Sequence, residues 1–185
     1  VEADARIAQL GKLAVPVALP GVADTVDAWV ERAQGDNPNA RRASLARDIA
    51  NREVDPRQFE IRAESLVAQY GELMALSWID DRRRVVAVQA SPSVKAARDW
   101  MEDGILKPGE VESGYGLARD LLQPVYSQPV GVGKAEPILQ LHLPITPRGK
   151  FAGELVAEYS VDALLRYGVP AEILAKYAVA LLDSK

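Results

Sequence analysis

Apolar residues recur three and four positions apart through residues 1–72, and this spacing predicts a helical N-terminal region. The segment DPRQFE marks the start of one helix, because Asp55 can cap it, Pro56 suits the first helical position and Gln58 completes a capping box. Another helical stretch is predicted over residues 40–51. The chain therefore begins with helices rather than with a sheet.

From residue 73 onward the spacing changes to the alternation that is typical of strands. Two such runs, LMALSWID and RVVAVQA, are separated by the charged turn DRR and predict a hairpin. Three more runs follow toward the C terminus: PVYSQPV, PILQLHLPI and FAGELVAEYS. A helix over residues 161–177 comes next. Because the strands are joined by hairpins and grouped apart from most helices, we predict an α+β fold with a five-stranded antiparallel sheet.

The segment between the second and third predicted strands has a helical pattern of its own. The side chains that share one side of this helix are Val94, Ala97, Trp100 and Met101. A loop, EDGILKPGEVESGYG, then leads to a short helix around residues 117–122. We expect this helical insert to cross one face of the sheet.

The last two predicted strands have one apolar face and one mixed face. The apolar positions are Leu139, Leu141, Leu143, Leu155, Ala157 and Tyr159. The alternating positions include Gln140, His142, Glu154 and Glu158. We expect an N-terminal helix to cover the apolar face and the insert to cross the other, where a ligand cavity could form.

The composition is that of an ordinary globular domain and narrows the range of partners. Of 185 residues, 48% are hydrophobic and 26% are charged, and the formal net charge is −4. This argues against wholesale disorder and against a nucleic-acid surface, which needs a positive stripe. Without cysteine, disulfides and thiolate metal sites are excluded. No apolar run approaches the roughly 20 residues that span a bilayer. Because residue 1 is valine, we expect a fragment of a longer protein.

No catalytic or metal-binding constellation stands out in the sequence. His142 is the only histidine, so a histidine-based metal site is not expected, and its alternating context is typical of a sheet residue. GVGKAEP lacks the spacing of a phosphate loop, and ESGYG is not a nucleophile elbow. Glu154 and Glu158 lie roughly 13 Å apart along one strand, too far for a glycosidase pair. We expect no cofactor, no metal and no enzymatic activity in this fragment.

Taken together, these features resemble extracytoplasmic PAS-like sensor domains of the Cache type. The resemblance rests on LSWIDDRRRVVAV, the helical insert, QPVYSQPV and FAGELVAEYSVDALL, and covers about residues 73–162. It implies a PAS-like five-stranded antiparallel sheet with N-terminal helices packed on one face and a helical cap on the other. It also implies a periplasmic domain of a membrane-anchored bacterial receptor, most often a histidine kinase, that works as a homodimer and binds a small molecule.

The resemblance divides the chain into three parts. Residues 1–72 form an N-terminal helical region, residues 73–168 a PAS-like sensor core, and residues 169–185 a connecting helix. The final stretch, YAVALLDSK, echoes LMALSWIDDRR and is interpreted as the first strand of a second PAS-like module.

In this family the ligand lies between the sheet and the insert. Its amino-acid-binding members hold the carboxylate with an Arg-x-Trp motif and the amine with an aspartate of the last strand. Arg98-Asp99-Trp100 matches the motif, and Glu158 stands in place of the aspartate. Ser93 and Met101 replace aromatic residues of the motif, so a different small polar or anionic ligand stays open beside an amino acid. The predicted ligand-binding residues are Arg98, Trp100, Tyr115, Arg119, Tyr126, Ser127, His142 and Glu158.

Three functions therefore stay open at this stage. The first is a ligand-binding sensory module without catalysis of its own. The second is a domain of the same fold that binds no small molecule and serves as a structural, dimerisation or protein-interaction element. The third is an enzyme, which the lack of a nucleophile–base pair disfavours. Each predicted site residue also has a plain alternative: Trp100 in the core, Arg98 on the surface, and Tyr115 and Arg119 facing either way.

Overall fold

The computed structural model describes residues 38–91, 101–102, 105–106, 110–127, 138–169 and 171–176. Several predictions lie outside these ranges: the earlier part of the N-terminal helical region, Arg98, Trp100, and the second module at the C terminus. The predicted α+β fold is confirmed by the described part of the chain, in which helices pack on an antiparallel sheet.

Within the described residues, two of the predicted helices precede the sheet. Helix α1 spans Pro38–Ala50 and helix α2 spans Pro56–Gln69. The capping box of α2 is confirmed: the Asp55 carboxylate accepts a hydrogen bond from the Gln58 amide at 2.8 Å, and the Gln58 side chain accepts one from the Asp55 amide at 3.1 Å. Two of the amide groups at the N-terminal end of the helix that lack helical partners are thereby satisfied.

The sheet contains five antiparallel strands in the order β2-β1-β7-β6-β5. Their bounds are Leu73–Asp80 for β1, Val85–Ala90 for β2, Val125–Tyr126 for β5, Ile138–Pro144 for β6 and Gly153–Ser160 for β7. The last strand that the structure describes therefore lies at the centre of the sheet, between β1 and β6. Neighbouring strands therefore cover both edges of β7, and all eight of its residues are buried.

The predicted charged turn connects β1 and β2 in a hairpin. The Asp80 carboxylate accepts hydrogen bonds from the backbone amides of Arg82 and Arg84, each at 2.8 Å. Arg83 adopts a left-handed conformation with φ of 64°. The aspartate side chain thus stabilises the turn, which is a common function of an aspartate at this position.

The insert differs from its prediction at two places. Met101–Glu102 is a short strand, β3, paired with Ile105–Leu106, β4, so Met101 is not helical. Helix α3 spans Glu110–Leu121 and thus includes residues 110–116, which the sequence predicts as a loop. Gly114 and Gly116 favour a loop by intrinsic propensity, but this helix packs against the sheet, and tertiary packing outweighs propensity.

The helix after the sheet also ends earlier than predicted. The Ser160 hydroxyl accepts a hydrogen bond from the Ala163 amide at 3.0 Å and caps helix α4, which spans Val161–Gly168. A separate short helix, α5, spans Ala171–Leu174. Pro170 lies between them in the sequence, and a proline cannot continue a helix because it lacks an amide hydrogen.

The apolar core lies between the sheet and helices α1 and α2. It contains, among others, Leu45, Phe59, Leu76, Leu141, Leu143, Leu155 and Ala157. Trp78 packs against Phe59, with the ring centroids 6.0 Å apart. The apolar face of the two C-terminal strands is therefore covered by the N-terminal helices, as their alternation predicts.

One buried cation is part of this otherwise apolar layer. Arg42 of α1 is only 2% exposed, and its guanidinium lies 5.0 Å from the ring centroid of Tyr159 and 5.8 Å from that of Tyr70. Burial raises the pKa of the Tyr159 hydroxyl, so this phenol stays neutral. Arginine stacks favourably on aromatic faces, and this contact fixes α1 against the end of β7.

Candidate polar site on the sheet

The face of the sheet opposite α1 and α2 carries a buried group of polar side chains. Strand alternation and the pairing register place them together: Ser77 from β1, Gln140 and His142 from β6, and Glu154, Glu158 and Ser160 from β7. Each is at most 5% exposed. We call this group the polar face. Polar and charged side chains are rarely buried without a specific reason, so this surface is the candidate functional site.

Gln140 and Glu158 form the first of two polar pairs on this face. They stand directly opposite each other in the β6–β7 register, and the Gln140 amide nitrogen donates a 2.7 Å hydrogen bond to the Glu158 carboxylate. Because the carboxylate accepts this bond, the amide is oriented with its oxygen, Oε1, available as an acceptor. The pair therefore presents a carboxylate and an amide oxygen side by side.

His142 and Glu154 form the second pair, a diagonal one, because His142 stands opposite Val156 and Glu154 is two residues away on β7. Nδ1 of His142 and Oε1 of Glu154 are 3.0 Å apart, and both side chains are fully inaccessible to solvent. Burial raises the pKa of the Glu154 carboxyl, and the hydrogen bond and charge of His142 oppose this shift only in part. The Glu154 carboxyl thus binds a proton more readily than a glutamate in solvent does.

Several buried polar atoms of this face have no hydrogen-bond partner among the residues that the structure describes. They are Ser77 Oγ, Gln140 Oε1, His142 Nε2 and Glu154 Oε2. An unsatisfied buried polar atom costs about 1–3 kcal/mol of stability, and native proteins contain few of them. Four such atoms on one side of three adjacent strands make this face the candidate binding site.

Helix α3 lies against part of the polar face, and two neighbouring residues fix it there. Gly114 packs directly on the His142 ring, since a Cβ atom at this position would lie 2.6 Å from Cδ2 of His142. The Tyr115 hydroxyl donates a 2.9 Å hydrogen bond to the carbonyl oxygen of Asp80, and its ring meets Phe151 edge-on at 5.4 Å. Burial, and next the charge of Glu154, raises the pKa of Tyr115 to about 12, so the phenol remains a donor.

The structure places the predicted ligand-binding residues in different environments. Glu158 and His142 lie on the polar face. Tyr115 is 1% exposed and supports α3, as described above. Arg119 lies on the exposed side of α3 and pairs with the neighbouring Asp120 at 2.8 Å, which holds the pKa of that carboxyl below its usual range.

Two further predicted residues belong to the edge of the sheet. Tyr126 pairs with Leu141 in the register, which puts it on the face that α1 and α2 cover, and it is 47% exposed. The structure therefore does not bring Tyr126 together with Glu158. The Ser127 hydroxyl accepts a 3.2 Å hydrogen bond from the backbone amide of Gln140 and so closes the edge pairing of β5 with β6.

Arg98 and Trp100, the predicted carboxylate-binding pair, lie outside the described residues and stay predictions. Sequence reasoning did not select Gln140, Ser77 or Glu154 for the site. Gln140 and Glu154 were visible as polar residues alternating with leucines, but their pairing needed the register of β6 against β7. In the part of the chain that is described, no three acidic or histidine side chains are grouped as a metal site would need.

Comparisons with known proteins support the fold. No protein-family model matches the sequence, and no curated protein matches it. Among solved structures, the ligand-binding domain of the Pseudomonas aeruginosa PAO1 amino-acid chemoreceptor PctC, in complex with GABA, matches with a TM-score of 0.53 and 17% identity. That match covers 89% of this chain and 65% of the PctC chain.

Two other chemoreceptor domains are similar to the same degree. The PctB domain of P. aeruginosa PAO1, in complex with L-Gln, matches with a TM-score of 0.54 and 16% identity over 78% of this chain and 53% of its own. The Tlp3 domain of Campylobacter jejuni, in complex with L-valine, matches with a TM-score of 0.50 and 13% identity over 77% and 58%.

The chain therefore has the PAS-like α+β fold of extracytoplasmic ligand-binding sensor domains, and the predicted resemblance is confirmed at the level of fold. It spans less than two thirds of the length of each of these three domains. No helix within the described ranges is long and apolar enough to cross a membrane.

Proposed function

We propose that this chain is the extracytoplasmic sensory domain of a membrane-anchored bacterial receptor and that it binds a small, amino-acid-like ligand through its ammonium group. The observation that carries the proposal is the buried Gln140–Glu158 pair on the polar face. The fold supports it, because chemoreceptor domains with the same fold are seen in complex with GABA, L-Gln and L-valine.

The chemistry of the polar face favours a cationic group. Its described charged side chains are Glu154, Glu158 and His142, and Glu154 is already paired with His142. Glu158 and the amide oxygen of Gln140 are both acceptors and lie side by side. A primary ammonium has three hydrogens and would donate to both the carboxylate and the amide oxygen.

The predicted Arg98 and Trp100 would hold the other end of such a ligand. An arginine presents a planar fork that fits a carboxylate, and a tryptophan supplies a flat apolar wall. The receptor itself would be a two-component histidine kinase, or alternatively a chemoreceptor, working as a homodimer in the periplasm. Ligand binding would shift the population of signalling states through α4, which follows directly from the central strand β7.

The first test is a ligand screen by thermal unfolding. The panel contains L-glutamine, L-asparagine, L-valine and γ-aminobutyrate, with matched organic acids that lack the amine and matched amines that lack the carboxylate. A ligand at a hundredfold excess over its Kd stabilises the folded state by about 2.7 kcal/mol, which is readily measured. We expect a shift with amine-bearing compounds and none with the acids alone.

The second test places the ligand at Glu158. Glu158→Gln keeps the size of the side chain but removes its charge, and we expect calorimetry to show an affinity lower by about tenfold to a hundredfold, the range for a charged hydrogen bond. Asp162→Asn is the matched control, since Asp162 is an exposed acid just beyond the same strand. Binding that survives Glu158→Gln would place the ligand elsewhere. No binding across the panel would favour the ligand-free interaction module.

A further inference from the structure

Ligand binding at Glu158 does not account for the buried position of the His142–Glu154 pair. Both side chains are fully buried, and they are linked at 3.0 Å. Nε2 of the imidazole is directed at Gly114 of α3 rather than at an open surface. The pair therefore lies between the sheet and helix α3, where a change in its charge acts on their contact.

The contact between α3 and the sheet leaves no room for adjustment at this point. A single added carbon at Gly114 would overlap the imidazole ring. The next residue, Tyr115, is tied to the end of β1 through the Asp80 carbonyl oxygen and packs edge-on against Phe151. Close packing of this kind transmits small displacements instead of absorbing them. Docking of α3 is therefore sensitive to the state of His142.

The charge of the pair depends on the number of protons it holds. With one labile proton on the pair, as imidazolium with carboxylate or as imidazole with carboxylic acid, its net charge is zero. Loss of that proton leaves one negative charge in a site without solvent, where Glu154 Oε2 has no described hydrogen-bond partner. An uncompensated buried charge is strongly destabilising, so the docked state of α3 favours the protonated pair.

We propose that the His142–Glu154 pair is a proton-binding site that couples the docking of helix α3 to pH, so that the domain senses acidity as a second input. Helix α3 is held on the sheet when the pair carries its proton, and it loosens when the proton is lost. This function needs no ligand and is separate from the function proposed for Glu158.

The other titratable and charged groups near the pair are not the source of the proposed pH response. From α3, Tyr115 has a pKa of about 12 and stays neutral. From β1 and its turn, the Asp80 carboxylate binds two backbone amides, and Arg83 lies 6.0 Å from the Tyr115 ring, on which the charge of Asp81 also acts. From β7, Glu158 is bound to Gln140.

The direction of the pH effect follows from the raised pKa of Glu154. A group whose pKa is higher in the folded state than in the unfolded chain binds its proton more tightly when folded. Its contribution to stability is complete below the unfolded value, about 4.3 for a glutamate, and is lost as the pH rises through the folded value. We therefore expect α3 to be docked at acidic pH and to loosen as the pH rises.

The test uses the fact that His142 is the only histidine in the sequence. In a tag-free sample, the imidazole carbon and nitrogen signals in NMR report on this pair alone. Amide hydrogen exchange of α3, corrected for the intrinsic effect of pH and referred to the amides of β1, reports on docking. Between about pH 4 and 9, the range over which carboxyl and imidazole groups titrate, we expect the ring signals and α3 exchange to change over the same interval.

The variant Glu154→Gln identifies the group responsible. Its amide keeps an oxygen that can accept from His142 but has no titrating proton, so the change in α3 exchange should disappear or move out of the wild-type interval. Asp162→Asn removes an exposed carboxylate of α4 instead; it is the control and should leave the interval unchanged.

A ring that titrates without any change in α3 would overturn the proposal, as would a ring that does not titrate in this range. The same holds if α3 of Glu154→Gln responds as the wild type does. If the variant does not fold, the wild-type titration alone decides. None of these measurements contains a ligand, so their outcome is independent of the ligand screen.

Discussion

The two faces of the sheet are both buried at β1 and β7, but only one of them carries buried polar groups beside its apolar residues. Leu76 and Ser77 are neighbours on β1 and both are 0% exposed, yet Leu76 packs in the apolar core while the Ser77 hydroxyl has no hydrogen-bond partner within the described residues. Burial of the first stabilises the fold and burial of the second opposes it. One face therefore stabilises the fold through apolar burial, whereas the other holds polar groups at a cost to stability, which is the pattern expected of the proposed site.

The largest effect is expected on the apolar face. Leu76→Ala removes a fully buried side chain from the centre of the core, and we expect it to lower the free energy of unfolding by about 2–5 kcal/mol. Urea unfolding followed by circular dichroism measures the loss. Ile61→Ala, at a position of α2 that is 58% exposed, is the control and should change stability by less than about 0.5 kcal/mol. Equal effects in the two variants would contradict the assignment of this layer as the main core.

A smaller loss is expected where α3 meets the polar face. Gly114→Ala places a methyl group against the His142 ring and should destabilise the protein by about 1–3 kcal/mol. Gly116→Ala lies on the same helix with no atom within 4 Å of the added carbon, and it should stabilise by about 0.5–1 kcal/mol. Both variants gain the same helix propensity, so the difference between them isolates the His142 contact. Two stabilised variants would mean that α3 does not pack on His142.

The smallest effect should have the opposite sign to the first. Ser77→Ala removes a buried hydroxyl without a described partner, so we expect it to raise the free energy of unfolding by about 0.5–1 kcal/mol. Urea unfolding under the same conditions as for Leu76→Ala gives the comparison directly. A loss of stability instead would show that the hydroxyl is satisfied, for example by an ordered water molecule.

Local signals were sufficient for the first helices and the hairpin. Asp55, Pro56 and Gln58 predicted the start of α2, and Asp80 with its arginines predicted the charged turn, because caps and turns are made by residues close in sequence. The strands β1, β6 and β7 were predicted for a related reason, since alternation is a property of each strand alone.

Helix α3 and the composition of the site could not be predicted in this way. Residues 110–116 contain two glycines and a pattern that is typical of exposed segments. Their helix depends on packing against a sheet whose strands are distant in sequence. Tyr126 was grouped with the site because it lies in a segment with other hydroxyls, but pairing with Leu141 turns it to the other face. A shift of one residue in register moves every side chain of a strand to the opposite face of the sheet, and the sequence of a single strand does not specify its register.

The sequence by itself determined that this is an α+β domain with one apolar and one mixed sheet face, because binary patterning fixes which side of each strand is buried. It also determined that Glu158 lies on the polar face. Only the tertiary structure decided which polar residues meet. The pairs Gln140–Glu158 and His142–Glu154 form because β7 lies beside β6 in one register. Helix α3 packs at this place because its Gly114 contacts His142, which lies 28 residues further along the chain.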